Sequence, residues 1–115
     1  MINLDYQSRT PIYEQIITEI EKYVALGIFK PKEQIMAIRE LATMLGINPN
    51  TVKKAYSELE KRGVITTIST KGTFIADNID MIVKQNIDGK IEEIKMIIDD
   101  LQKLGITKEE IIKKL

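Results

Sequence analysis

Apolar residues recur every fourth position at Ile12, Ile16, Ile20 and Val24, and the row stops at Gly27. That spacing predicts a helix with one buried face, with Thr10 as its N-cap and Pro11 at the first helical position. Pro31 marks a connecting loop. Ile38, Leu41, Ala42 and Leu45 then share one face of a second, short helix ending at Gly46. The chain restarts at once, with Asn48 suited to an N-cap and Pro49 to the first helical position. Val52, Ala55, Tyr56 and Leu59 follow at i, i+3, i+4 and i+7, a core stripe that leaves Asn50, Thr51, Lys53, Lys54 and Ser57 off it. Tyr56 belongs to this core, and Tyr13 and Phe74 are expected there too. Gly63 closes the third helix. Val64 to Ile68 and Thr73 to Ala76 are β-rich runs around the polar segment Ser69-Thr70-Lys71-Gly72, which predicts a hairpin.

Near Asp77-Asn78 the character changes from Thr-rich and strand-like to helical and rich in Ile, Lys, Glu and Asp. The boundary is set there, giving an N-terminal domain of residues 1–77 and a helical tail of residues 78–115. Within the tail Ile87, Ile91, Ile94, Ile98 and Leu101 are spaced four, three, four and three apart. A stripe of this kind on a charged helix wants a partner, either a neighbouring helix or a second copy of the chain. After Gly105, Thr107 and Glu110 have the spacing of a capping box, opening a last short helix with Ile111, Ile112 and Leu115. The fold class is therefore mainly α with a small β-hairpin.

Composition narrows the chemistry. Cysteine and histidine are both missing, so disulfides, thiol nucleophiles, imidazole bases and the usual zinc ligand sets are excluded, and no catalytic residue, metal or cofactor is expected. No apolar run is long enough to span a bilayer, and a cytoplasmic protein is the expectation. Lys and Arg total 17, as do Asp and Glu, but the balance is not even along the chain. Between residues 39 and 71, Arg39, Lys53, Lys54, Lys61, Arg62 and Lys71 outnumber Glu40, Glu58 and Glu60.

Two short helices joined through a glycine, the second capped by small polar residues and carrying lysines, form the helix-turn-helix pattern, and the hairpin behind them adds a wing. Such a helix directs its amino end at a duplex, where free backbone N–H groups and the dipole attract phosphate oxygens. Asn50 and Thr51 are short enough to let the backbone approach, and Lys53 and Lys54 have the chemistry for phosphate or guanine. Each feature has a plainer reading by itself: a solvated Lys-Lys face, a simple Asn-Pro cap, an ordinary Lys71-Gly72 turn, a salt-bridged Arg39. Their joint order favours double-stranded DNA as partner. The competing reading is a winged scaffold used only to bind other proteins.

The runs Ile38-Arg39-Glu40-Leu41-Ala42, Gly46 to Tyr56, Gly63-Val64-Ile65 and Gly72-Thr73-Phe74-Ile75 together resemble the GntR family of bacterial regulators, most closely its short YtrA-like branch. The resemblance implies a winged helix-turn-helix transcription regulator, a repressor acting as a homodimer on a palindromic operator. It implies that Arg39, Asn48, Asn50, Thr51 and Lys53 contact DNA, that Lys71-Gly72 approaches the minor groove or its phosphates, and that the Ile87 to Leu101 stripe dimerises. The 38 residues after Asp77 are too few for a typical metabolite pocket, and no effector is named by the sequence. Two departures stand out: Ile35-Met36-Ala37 replaces the family's usual Leu-Pro-Ser, and Thr70 stands at the first glycine of the usual Gly-x-Gly wing.

Overall fold

The fourfold isoleucine spacing becomes one buried helix face. In the computed structural model, which describes residues 2–115, helix α1 spans Ile12–Ala25 and buries Ile16, Ile17, Ile20 and Val24. Pro11 is not its first helical residue, as expected, but its N-cap, with ψ at 148° and no side chain capping the turn. The Pro11 carbonyl accepts the first helical N–H, from Gln15, at 3.1 Å. Gln15 also ties down the incoming segment. Its Nε2 donates to the Asp5 and Thr10 carbonyls, both at 2.9 Å, and its Oε1 accepts the Asp5 N–H at 2.8 Å.

A two-residue strand, β1 (Gln34–Ile35), follows where only a loop was expected. Helix α2 (Ile38–Leu45) ends on Gly46, whose φ of 68° is the left-handed conformation that glycine takes without strain. Helix α3 (Pro49–Lys61) buries Val52, Ala55, Tyr56 and Leu59, the whole of the expected stripe, and both α1 and α2 pack on it. Strands β2 (Ile65–Ile68) and β3 (Gly72–Ile75) form the hairpin. With β1 they make a three-stranded antiparallel sheet in the order β1-β3-β2, pairing Gln34 with Phe74, Ile35 with Thr73 and Ile65 with Ile75. The hairpin alone was legible because two paired residues leave no period to detect.

Helix α4 (Ile79–Lys103) and helix α5 (Lys108–Lys114) complete the chain. The Thr107 and Glu110 capping box is formed in both directions: Thr107 Oγ1 accepts the Glu110 N–H at 3.2 Å and Glu110 Oε1 accepts the Thr107 N–H at 3.3 Å. The chain divides into two compact units, Met1–Ile82 and Val83–Leu115. The first contains the core, with Ile16, Ile20, Val52, Leu59, Ile75 and Ile79 fully enclosed. In the second, Ile111 is the one buried side chain among the described residues. Its stripe lies open, with Ile87 56%, Ile91 46% and Ile94 51% exposed and Ile98 and Leu101 half-buried. Among the described residues no helix is long and apolar enough to cross a membrane.

Candidate nucleic-acid interface

The amino end of α3 is fixed by its own cap. Asn48 holds an extended backbone, and its Oδ1 accepts the Asn50 N–H at 2.8 Å. Pro49 has no N–H to offer, and the Thr51 N–H donates to the Asn48 carbonyl at 3.0 Å. None of the first three helical residues therefore keeps a free backbone donor, contrary to the expectation that the bare backbone would receive phosphate. Contacts to an anion at this end fall to side chains, with the helix dipole behind them.

Those side chains are available. Asn48, Asn50, Lys53 and Lys54 are exposed and Thr51 is half-buried. Asn48, Asn50, Thr51 and Lys54 line one shallow concavity of about 430 Å³, together with Ile12 and Tyr13 of α1. Lys54 Nζ sits 3.9 Å from the centre of the Tyr13 ring, close enough for a cation–π contact that restrains the lysine without covering it. Tyr13 is thus a half-buried surface partner and not the core residue expected, and Phe74 is half-buried as well. The role of Tyr13 had no signal in the helical period, since the contact runs between two helices.

Arg39 is the second residue of α2 and exposed, and its side chain makes no hydrogen bond or ion pair among the described residues. The helix that carries it begins on Ala37, which has no side chain to cap the turn; this is the structural consequence of alanine where the family usually has serine. Lys71 lies exposed in the turn between β2 and β3, beside half-buried Gly72 at φ 125°. Arg39, Lys53, Lys71 and Gly72 lie outside the concavity at the start of α3.

Not every cation of the basic stretch is free. Arg62, although exposed, is paired with Glu21 Oε1 at 3.0 Å and with Glu58 Oε1 at 3.2 Å, so it joins α1 to the end of α3. On the inner side of α3, Tyr56 is buried and its hydroxyl donates to the Met36 carbonyl at 2.6 Å, tying α3 to the segment that leads into α2. Burial, with a smaller contribution from Glu40, pushes the Tyr56 hydroxyl up to about 12.

Comparison with known proteins agrees with this geometry. Residues 12–75 match the model of the bacterial regulatory proteins of the gntR family. The chain is 41% identical over 115 residues to the HTH-type transcriptional repressor YtrA of Bacillus subtilis, an alignment covering 96% of this chain and 86% of that protein. A solved structure named as a transcriptional antiterminator from Listeria monocytogenes is 43% identical, with a TM-score of 0.73 over 98% of this chain and 85% of the other. AraR(DBD), solved in complex with an operator, is 28% identical with a TM-score of 0.57, covering 64% of this chain and 89% of that one. A family match that spans more than half of the sequence, on a fold of three helices and a wing, means that the chain belongs to the gntR family of bacterial regulatory proteins and is a DNA-binding transcriptional regulator, not an enzyme.

Proposed function

We propose that the chain acts in the cytoplasm as a homodimeric repressor of a palindromic operator, with residues 1–77 reading DNA and residues 78–115 pairing the two copies. The observation that carries this reading is the exposed amino end of α3, where Asn48, Asn50, Thr51 and Lys54 converge on one concavity open to solvent. The amides of Asn48 and Asn50 and the Thr51 hydroxyl have donors and acceptors suited to base edges, while Arg39, Lys53 and Lys54 suit guanine or phosphate. Lys71 and Gly72 at the wing tip reach the adjacent groove. The name of the Bacillus relative supports repression, and the operator complex of AraR(DBD) supports a duplex as the partner.

Pairing follows from the open stripe Ile87, Ile91, Ile94, Ile98 and Leu101, whose heptad spacing suits a second α4. Two copies of α3 then address half-sites one duplex turn apart, about 34 Å, and linkage of the two raises affinity through effective concentration. An electrophoretic shift with DNA from upstream of the protein's own gene tests the reading. Binding should weaken steeply with salt; Lys53→Ala should weaken it uniformly and Arg39→Ala more strongly. Salt-insensitive binding, or identical affinity of both variants and the wild type, contradicts it.

A further inference from the structure

The wing tip is braced from a strand that belongs to neither arm of the hairpin. Gln34, on β1, sends its side chain across to Lys71, where Nε2 donates to the Lys71 carbonyl at 3.0 Å. On the other side the Lys71 N–H donates to the Ile68 carbonyl at 3.0 Å. Both backbone groups of Lys71 are therefore held while its side chain stays exposed and unbonded among the described residues.

Two further features belong to the same brace. A Cβ at position 72 would lie 2.5 Å from Gln34 Nε2, so any side chain there displaces the amide, and φ at Gly72 is +125°, which L residues rarely adopt. Thr70, next to Lys71, has φ +71°, a strained conformation for a β-branched residue. Such a conformation persists where its surroundings over-determine it.

We propose that Gln34 is a positioning residue for DNA recognition: its amide, passing over Gly72 to the Lys71 carbonyl, fixes the wing so that Lys71 meets the duplex in one orientation. This rests on the reading of the wing as a DNA contact. Gln34 does not itself touch DNA. It acts by removing conformations of the turn that would otherwise be lost on binding.

The test is a double-mutant cycle on the full chain, read by fluorescence anisotropy on a labelled duplex that the protein itself selects, across a salt titration. Lys71→Ala should weaken binding about fivefold and lower the salt slope by about one. Gln34→Met, of similar length but with no donor, should weaken it about threefold, with an unchanged melting temperature and faster amide exchange at Lys71 and Gly72. In the Lys71→Ala background the same change should have almost no effect on affinity. Gln34→Met binding like the wild type while Lys71→Ala is impaired overturns the brace and leaves the DNA reading standing. An equal loss from Gln34→Met in both backgrounds also overturns it, because the effect then does not pass through Lys71. If the wild type itself shows no salt-sensitive binding to any duplex, the DNA reading fails, and the inference with it.

Discussion

The two units of this chain use their hydrophobic residues in opposite ways. In Met1–Ile82 the periodic apolar positions of α1 and α3 are buried against each other, with Ile16, Ile20, Val52 and Leu59 enclosed. In Val83–Leu115 an equally periodic row on α4 stays open, and the helix surface is laced with exposed ion pairs such as Lys95 with Glu92 at 3.3 Å and Lys90 with Glu93 at 3.6 Å. Exposed pairs of this kind contribute at most about 0.5 kcal/mol each, too little to hold a long helix alone. One unit buries its apolar stripes within a single copy; the other leaves an apolar face open. Both units place apolar residues at helical spacing, so the difference lies in whether a neighbouring element covers the stripe.

Substitutions in the two units should therefore fail in different ways. The largest effect is expected from Leu59→Ala, which opens a cavity where α3 meets the rest of the core and should cost about 3 kcal/mol in denaturant unfolding, whatever the protein concentration. Next comes the pair Ile91→Glu with Ile94→Glu. It should leave the circular dichroism of the first unit intact, convert a dimer to a monomer in sedimentation, and weaken operator binding about a hundredfold. Concentration-independent behaviour of the wild type would remove the contrast.

A somewhat smaller effect concerns pH. Tyr56 is raised to about 12 in the folded chain, above the ordinary tyrosine value of 10.0, so the unfolded chain releases this proton first as pH rises. The stability due to Tyr56 is complete below pH 10 and should be lost between pH 10 and about 12, by about 2 kcal/mol. Tyr56→Phe should flatten that region of the profile. The smallest effect runs the other way. Ala37→Ser gives α2 the cap it lacks and should stabilise the first unit by about 1 kcal/mol, read as a higher denaturation midpoint with an unchanged slope.

Much of this architecture was legible in the sequence. The Val52, Ala55, Tyr56 and Leu59 stripe, the Asn48 cap and the Thr107 capping box all rest on spacing within one element, and the structure forms each of them. What escaped reading depends on contacts between elements. β1 is two residues long and exists only because β3 pairs with it. Tyr13 lies on the apolar face of α1, yet its ring meets a lysine from α3. Arg62 counts toward a basic stretch until Glu21, 41 residues away, is found beside it. The Asn48 cap was legible, whereas the saturation of the first-turn N–H groups also needs the Asn48 carbonyl to take the Thr51 N–H, a backbone contact that residue type does not encode.

The most direct measurement is selection of bound genomic fragments by the full chain, followed by footprinting of the strongest. An inverted repeat whose half-sites are centred about one helical turn apart, bound in a steeply salt-dependent way, is the predicted result. Protection of a single unrepeated half-site, or retention of no duplex at all, would contradict the account of one unit that reads and another that pairs.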